Sequence, residues 1–499
     1  MKKSLSFIFL AIGSLLFAGC DSVIPDDGDK TIPELVSSEE YLHFWNPSTT
    51  LSFDIKMSAN AAFFLDDRQT YRDDSTYFDY YVPCNVTYSI DGVEETMEEV
   101  GIRVKGNWSR NTFLLQGQFD PSSLAHFKLS FGETFDGEEY DTIESLQEFK
   151  KTWPSKEDRA DRKDRTLFDM EKIDIKWNRN LDETKSKQSY MLKTFRDKGV
   201  IAGHATLTDM TLSVIGGQPI NATYEILEVV DSVLIKRYFN KEHADGDLYK
   251  CTYQNAPANF SSSYTVGNQI GIEDNKNRYH PAYDLKTNKT KSADHLNLLN
   301  LIAAINNKTS TAETYKTNIE KFLDMDSFLM YEAIAFIFGN FDDFRNNANN
   351  YYLYISSADN IGYIIPYDFD RGLGTGDMGI QNYMTSFSAE SSKMQCGGSW
   401  QTCSLFWRTI CQSTDSSSGH KSVARVEAYR ATYQANIEDL LNKKTISETS
   451  FTTYVNSYSQ EYRGNPGGTG YDNISFKDYL ALKIAAIKNY DPTYNITVS

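Results

Sequence analysis

Three polar residues in the second half of the chain have side chains suited to metal-assisted phosphate chemistry. Asp342 and Asn350 stand at the two ends of one short polar segment, and Asp368 follows the next apolar stretch. Mg²⁺ prefers hard oxygen ligands and typically takes only one or two carboxylates from a protein. In phosphoryl transfer, one carboxylate accepts or orients the hydroxyl proton while an amide and another carboxylate hold the metal against the phosphates. The set therefore predicts phosphoryl transfer if the fold brings the three residues together.

The segments around these residues predict such a meeting. Two apolar runs, 351–356 and 361–367, are separated by a turn sequence and read as an antiparallel hairpin. Because a hairpin returns its second strand to the start of the first, Asn350 is expected beside residues 366–368. Asp342 lies at the other end of the loop that precedes the hairpin. All three side chains should therefore meet at one end of a rigid hairpin.

The remaining elements are predicted from periodicity and turn residues. Residues 322–338 form a nearly all-round apolar helix, which belongs in a core. The stretch 51–105 alternates in the manner of β-strands, with Asp91-Gly92 as a hairpin turn. A helix is expected at 187–198, followed by two strands around a Gly216-Gly217 turn. The chain thus predicts a β-rich first part and a helix-rich second part.

Five sequence blocks together resemble the CotH (spore coat protein H) family of atypical protein kinases. They occur in the family's order within roughly residues 50 to 490, and it is their combination that is specific. The blocks are RVKGNWSR (103–110), YEILEVV (224–230), GDLYK (246–250), GNFDDFRNNANNYYLY (339–354) and IPYDFDRGLG (365–374).

The resemblance implies a catalytic carboxylate, a metal site and a nucleotide site. The catalytic residue it implies is Asp342. The implied Mg²⁺ ligands are Asn350, Asp368 and Asp370. The residues implied for ATP or another nucleotide are Arg103, Lys105, Asn107, Lys128, which would bind phosphate, and Glu228, which would lie against the adenine.

The fold implied by the resemblance is α+β, in the two-lobed arrangement of protein kinases. A β-rich N-lobe is expected over 46–230. It carries a highly charged insertion at about 136–180. A helical C-lobe over 231–499 would carry the catalytic loop and the metal site.

The start of the chain predicts export and lipidation. Two lysines precede a short apolar run, and Ala18-Gly19-Cys20 follows, which is typical of a lipoprotein signal peptide over 1–19 with acylation at Cys20. An ordinary signal peptide with an incidental cysteine is the alternative. The acidic segment 20–45 reads as a flexible tether, or more loosely as a surface-export signal. An extracytoplasmic protein anchored by lipid to the bacterial envelope is expected, with the outer-membrane surface as one alternative location.

Composition and charge limit the partners. The chain has 499 residues, a net charge of -18 and a pI near 4.9, which argues against nucleic acid as the main partner.

If Cys20 is acylated, the cluster Cys396, Cys403 and Cys411 could hold one disulfide in an oxidising compartment, and the pairing is open.

Three functions remain open at this point. The first is transfer of phosphate from a nucleotide to Ser or Thr of a protein, although ATP is scarce outside the cytoplasm. The second is a catalytically inactive kinase-like surface module that binds protein or carbohydrate. The third is a transferase that uses another phosphorylated donor.

Overall fold

Alternating side chains build the first strands and bury one face of each. β1 (Leu51–Met57) buries every second residue, and β2 (Val82–Ile90) repeats the pattern over most of its length. The turn to β3 (Val93–Val104) consists of Asp91 and Gly92, whose φ angles of 50° and 84° are those of a tight hairpin turn. The hairpin predicted from Asp91-Gly92 is confirmed.

The computed structural model describes most of the chain after residue 36. The described ranges are 37–69, 79–106, 110–253, 256–274, 277–307, 311–340, 342–344, 348–375, 426–460, 473–490 and 492–497. They belong to one compact unit, Ile32–Ser499. The further strands are β4 (Leu114–Leu115), β5 (Gln118–Phe119), β6 (Phe127–Ser130), β7 (Lys172–Trp177), β8 (Ala205–Val214), β9 (Ile220–Glu228), β10 (Asp247–Cys251), β11 (Ile270–Gly271), β12 (Tyr283–Leu285), β13 (Tyr351–Ile355) and β14 (Gly362–Pro366).

The helices in the described ranges follow the strands closely in the first half and dominate the second. They are α1 (Glu39–Phe44), α2 (Ala59–Gln69), α3 (Glu139–Thr142), α4 (Glu144–Gln147), α5 (Lys156–Lys163), α6 (Lys187–Asp197), α7 (Ser232–Tyr238), α8 (Lys241–Ala244), α9 (Leu296–Ile305), α10 (Ala312–Ile319), α11 (Met325–Phe338), α12 (Glu427–Asn442), α13 (Glu448–Asn456) and α14 (Phe476–Tyr490).

The first sheet closes into a barrel with the strand order β1-β2-β3-β6-β7-β9-β8. Its neighbours pair in antiparallel fashion except at the closing seam, where β1 runs parallel to β8. β7 lies inside the segment 136–180 that the sequence predicts to be an insertion. That boundary is therefore corrected: helices α3 to α5 precede β7, but β7 itself is a barrel strand.

The second sheet has the order β11-β12-β10-β13-β14 and positions the polar loop. β13 and β14 form the predicted hairpin, with Tyr351 opposite Pro366 and Ile355 opposite Gly362. α11 runs directly into the loop before β13. Eleven of its fourteen residues are buried, so the helix is fixed in the core along its length.

Two large cores hold these elements. The interior of the barrel is filled by residues such as Phe53, Ile102 and Ile175. The other core joins α11 and the C-terminal helices to α6 and also includes Leu207 and Leu227 from β8 and β9. The described part of the molecule is thus an α+β structure with a barrel and a helical part that share packing through α6. No helix within the described ranges has the length and apolar character needed to cross a membrane.

Candidate active site

The end of α11 fixes the start of the polar loop. Gly339 closes the helix with a left-handed backbone, φ 64°, and its amide donates to the carbonyl of Ala335. Asn340 follows and is fully buried. Its Oδ1 accepts from the backbone amide of Asp342 at 3.1 Å. Asp342 is therefore anchored to the helix end by its own backbone.

The far end of the loop is tied back to Asp342. The Nδ2 of Asn349 donates to Asp342 Oδ1 at 3.0 Å, and the Nδ2 of Asn350 donates to the backbone carbonyl of Asp342 at 2.9 Å. The amide of Tyr367 donates to the carbonyl of Asn350 at 3.2 Å. The structure thus brings Asp342, Asn350 and the residue before Asp368 into one connected group at the end of the hairpin.

Two of the predicted metal ligands have backbones that non-glycine residues seldom adopt. Asn350 has φ 51° and Asp368 has φ 52°, both in the left-handed region. Asn and Asp tolerate this region better than other side chains, yet each such residue costs about 1–3 kcal/mol and is found mainly at functional sites. Other non-glycine residues in the described ranges, such as Phe168 and Leu181, share this region, so the backbone fixes the direction of Asn350 and Asp368 without by itself marking a site.

The carboxylates of Asp368 and Asp370 converge on a single cation, the ammonium of Lys176 in β7. Lys176 Nζ forms an ion pair with Asp368 Oδ1 and another with Asp370 Oδ2, the latter at 2.9 Å. The Lys176 side chain is 6% exposed, whereas the two carboxylates are 36% and 28% exposed. Two carboxylate oxygens thus flank one ammonium group, and Lys176 and Asp370 line a pocket together.

Electrostatics around Lys176 reflect this arrangement. Burial disfavours the ammonium, but Asp368 and Asp370 together hold the pKa of Lys176 above its usual range. Burial would likewise raise the pKa of Asp368, but Lys176 and then Lys105 hold it well below normal. Burial raises the pKa of Asp370, and the neighbouring charge of Asp368 adds to this rise against the effect of Lys176. Asp368 therefore loses its proton at a lower pH than Asp370 does.

Helix α6 supplies a further contact to Lys176. The Oε1 of Gln188 accepts from Lys176 Nζ at 3.1 Å, and Gln188 is buried. Gln188 is neutral and adds no charge beside Lys176. Glu225 lies opposite Lys176 in the pairing of β7 with β9, and burial raises the pKa of Glu225 to about 8.

Lys128, Lys105 and Arg103 lie on the outer face of the neighbouring strands. Arg103 is opposite Lys128 in the pairing of β3 with β6, and Lys128 is opposite Asp174 in the pairing of β6 with β7. Asp174 Oδ2 contacts Lys105 Nζ at 2.8 Å, and its Oδ1 contacts Lys128 Nζ at 3.2 Å. The structure therefore brings three of the predicted nucleotide-binding residues together around one fully buried carboxylate.

This group is joined to the hairpin through a tyrosine. The hydroxyl of Tyr367 donates to Asp174 Oδ2 at 3.1 Å and accepts from Lys105 Nζ at 3.2 Å. Burial lowers the pKa of Lys128 to about 8, and nearby Arg103 contributes to this lowering against the effect of Asp174. The predicted phosphate-binding Lys128 is therefore bound to Asp174, whereas Lys176 contacts the predicted metal carboxylates.

Glu228 is not brought to this site. Its carboxylate accepts from the hydroxyl of Tyr41 at 2.8 Å and from the backbone amide of His204 at 3.1 Å, and Arg237 Nε lies 3.5 Å away. The side chain is 3% exposed. Its carboxylate holds α1 against the end of β9, and the predicted place of Glu228 against an adenine stays a prediction.

Several sequence expectations fall outside the described residues. They are Asn107, the lipidation residue Cys20 with the signal peptide, the acidic tether up to residue 36 and the cluster Cys396, Cys403 and Cys411. Within the described residues, Cys84 and Cys251 are buried free thiols.

Sequence reasoning missed Lys176, Asp174 and Gln188. The signal for the first two is the alternation in KIDIKW (172–177), in which Ile173 and Ile175 enter the barrel core while Asp174 and Lys176 lie on the other face of the strand, where both are also buried. Because highly charged residues precede this strand, the whole segment 136–180 was interpreted as an insertion and the strand was not recognised.

Comparison with known families adds an independent finding. The family model described as CotH kinase protein matches residues 222–486, slightly more than half of the chain. The match covers Asp342, Asn350, Asp368 and Asp370, while Lys176 and the basic residues of β3 and β6 precede it. No curated protein matches the chain.

Proposed function

The chain belongs to the CotH kinase family, and on that premise we propose that it is a Mg²⁺-dependent phosphotransferase. It transfers the terminal phosphoryl group of a nucleotide such as ATP to the hydroxyl of a Ser or Thr residue in a protein. The observation that carries this proposal is the convergence of Asp368 and Asp370 on one cation. That cation lies at the end of the hairpin that also holds Asn350 and the Asp342 loop.

The proposed arrangement is that of a two-lobed kinase. The barrel, within residues 46–230, acts as the N-lobe, and residues 231–499 act as the C-lobe. The outer face of β3, β6 and β7 supports the donor, and the hairpin end of β13 and β14 supports the chemistry. The support for this arrangement is that Tyr367 and Asp368, which follow β14, contact Lys105, Asp174 and Lys176 of the barrel.

In the proposed reaction Asp342 receives the proton of the acceptor hydroxyl. The hydroxyl oxygen forms a bond to the terminal phosphorus, and the anhydride bond to the bridging oxygen breaks with its electron pair leaving on the shortened donor. The Asp342 carboxylate accepts hydrogen bonds from Asn349, and its backbone is held by Asn340 and Asn350. These contacts orient the base, which is the part of phosphoryl transfer that a protein most needs to supply.

The residues present fit a magnesium ion. Two carboxylates already share one cation, and Mg²⁺ typically binds one or two protein carboxylates together with substrate phosphates. Asp368, Asp370 and the side-chain oxygen of Asn350 would hold it. When bound, the ion neutralises charge that develops on the phosphates. Lys176, rather than Lys128, would then contact a phosphate, since it already lies at the two carboxylates.

Metal-dependent nucleotide binding tests the proposal. We expect Mg²⁺ with a non-hydrolysable ATP analogue to raise the melting temperature of the purified full-length chain, and Asp368→Asn to abolish the shift. Asp245→Asn is the matched control, because the Asp245 carboxylate forms an exposed ion pair with Lys291, in which both side chains are about 70% exposed. No shift for the unmodified protein with Mg²⁺ and nucleotide would contradict the proposal.

A second candidate is a kinase-like module without catalysis, which binds a protein or a carbohydrate at the surface. The observation that favours it is that Lys176 forms ion pairs with both predicted metal ligands, Asp368 and Asp370, and so competes with a metal ion, while Gln188 stands where kinases have a glutamate. Such a module would keep the fold and show no metal-dependent binding of a nucleotide. The same melting experiment therefore separates the two candidates.

The location proposed for either function is outside the cytoplasm, with the chain held at the envelope through a lipid on Cys20. The support is the lipoprotein-type sequence around Ala18-Gly19-Cys20. The following acidic residues would act as the tether between the lipid and α1.

A further inference from the structure

A buried lysine ties helix α6 to the chain segment that follows Asp370. Lys187 is the first residue of α6 and is 2% exposed. Its Nζ donates to the backbone carbonyl of Leu373 at 3.0 Å and to the hydroxyl of Thr375 at 2.9 Å. We name residues 372–375 the junction segment. Lys187 therefore holds the junction segment against α6 at two positions.

The oxygens that accept from Lys187 are uncharged, so its ammonium is costly to bury. Burial lowers the pKa of Lys187, and the nearby charge of Asp182 opposes this lowering only in part. The Asp182 carboxylate accepts instead from the backbone amide of Lys187 and from the hydroxyl of Thr184. A methionine would fill similar space without the cost of removing a charge from water. Packing alone therefore does not account for a lysine at this position.

The junction segment also contacts the helix that leads into the Asp342 loop. The amide of Leu373 donates at 2.7 Å to the carbonyl of Phe338, the last residue of α11. Gly372 passes close to both helices, because an added Cβ would lie 3.1 Å from the carbonyl oxygen of Phe338 and 2.6 Å from the sulfur of Met191 in α6. Leu373 thus joins α6, through its carbonyl, to the end of α11, through its amide.

The neighbours of Lys187 reach the other half of the candidate site. Gln188 accepts from Lys176 Nζ, and Asn180, in the loop before α6, donates from its Nδ2 to the backbone carbonyl of Asp370 at 3.3 Å. All five of these residues line one pocket that is open to solvent. Because a pocket lies between α6 and the chain at Asp370, polar contacts rather than close packing hold the two together there.

We propose that Lys187 is a positioning residue for phosphoryl transfer, which keeps the two predicted metal carboxylates aligned with Lys176 and with the Asp342 loop. It acts through the carbonyl of Leu373 and the hydroxyl of Thr375. This inference rests on the proposed function, because it assigns the contact that aligns the two halves of the same site. Phosphoryl transfer depends mainly on positioning, and a misplacement of about 1 Å is costly. Without the ammonium, the junction segment should leave the aligned arrangement for part of the time.

Titration calorimetry of the purified full-length chain with a non-hydrolysable ATP analogue in Mg²⁺ tests the inference. Lys187→Met removes the ammonium and keeps an unbranched side chain of similar length. If the aligned arrangement then falls to about one-tenth of the population, the apparent dissociation constant rises about tenfold. We expect a rise of this size. The titrations are made well below the melting temperature of each variant, so that a loss of stability alone does not produce the rise.

Three further variants separate positioning from a purely structural effect. Lys193→Met is the matched control and should leave the affinity unchanged, because Lys193 lies on the same helix and forms an exposed ion pair with Asp197. Thr375→Val removes one of the two acceptors and should weaken binding about threefold, which is half of a tenfold effect on a free-energy scale. Thr375→Ser keeps the hydroxyl and should restore binding.

The inference and the proposed function can fail separately. If the unmodified chain does not bind the analogue with Mg²⁺, the proposed function is overturned and the inference with it. If the unmodified chain binds it and folded Lys187→Met binds it within about twofold as tightly, only the inference is overturned. If Lys187→Met does not fold, an unchanged affinity in Thr375→Val overturns the inference. Weaker binding by Lys187→Met and by Thr375→Val, with binding restored in Thr375→Ser, supports it.

Discussion

Replacement of Lys176 by methionine is the sharpest perturbation of the site. Methionine keeps an unbranched side chain of similar length but removes the ammonium that joins Asp368 to Asp370. The two carboxylates would then face each other without their shared cation. The affinity of the site for Mg²⁺ should therefore rise, and its affinity for a phosphate should fall.

The size of the effect follows from the burial of the three side chains. Breaking a fully buried ion pair by removing one partner costs about 3–5 kcal/mol. The carboxylates are about one-third exposed, so solvent screening reduces this, and we expect the free energy of unfolding to fall by roughly 1–3 kcal/mol. Mg²⁺ at about ten times its dissociation constant raises the free energy of unfolding of a variant that binds it by about 1.4 kcal/mol.

Denaturant unfolding with and without Mg²⁺ measures both parts of this prediction. Lys176→Met should be destabilised without metal and should recover part of the loss with Mg²⁺. The unmodified chain, in which Lys176 competes for the same oxygens, should gain less from the metal. Lys291→Gln is the matched control and should behave as the unmodified chain, because its ion pair is exposed.

Two results would refute the reasoning. One is an unchanged free energy of unfolding for Lys176→Met, which would mean that the ammonium does not hold the carboxylates together in solution. The other is equal stabilisation of the variant and the unmodified chain by Mg²⁺, which would mean that the lysine and the metal do not share a position.

Three further predictions concern the rest of the molecule. Glu228→Ala leaves the buried Arg237 without its carboxylate, so the free energy of unfolding measured with denaturant should fall by about 3–5 kcal/mol. The affinity for Mg-nucleotide should stay unchanged. A loss of that affinity in folded protein would show that Glu228 contributes to the nucleotide site. Cys20→Ala should move the protein from the detergent phase to the aqueous phase in a partition assay, and continued membrane association would contradict lipidation there. His280 donates a hydrogen bond to the carboxylate of Glu273, which raises the pKa of His280, so this contribution to stability should be complete below about pH 6.5 and be lost as the pH rises through the folded-state pKa. His280→Gln should therefore be less stable than the unmodified chain at low pH and converge with it at high pH in unfolding experiments.

Local sequence signals predicted the elements that carry the candidate site. The apolar helix expected at 322–338 begins at Met325 and ends at Phe338, because its periodicity and the glycine that follows are both local features. The hairpin after it was likewise predictable from two apolar runs and a turn. Its register then places Asn350 beside Tyr367 with no information from the rest of the chain.

Contacts between distant segments could not be predicted in this way. Lys128 and Asp174 are 46 positions apart, and their pairing depends on the register of β6 with β7. The direction of Glu228 depends on Tyr41 and Arg237, which come from α1 and α7. A sequence motif can suggest that a lysine binds phosphate. It does not show that Lys176, rather than Lys128, lies beside Asp368 and Asp370 in the folded chain.

The single positive charge of Lys176 can pair either with the carboxylates of Asp368 and Asp370 or with a bound phosphate. Without a ligand, the ammonium lies between Asp368 and Asp370, and Gln188 offers it only a neutral oxygen. If a metal ion takes these two carboxylates, Glu225 remains beside the ammonium, but burial raises the pKa of Glu225 to about 8 and so favours its neutral form near pH 7. The ammonium then lacks a counter-charge in a buried place, where an uncompensated charge is costly. A phosphate would supply that counter-charge, because it can contact both the metal ion and the lysine. Metal and phosphate should therefore bind together more favourably than either does alone, and this coupling follows from the neutral residue at position 188.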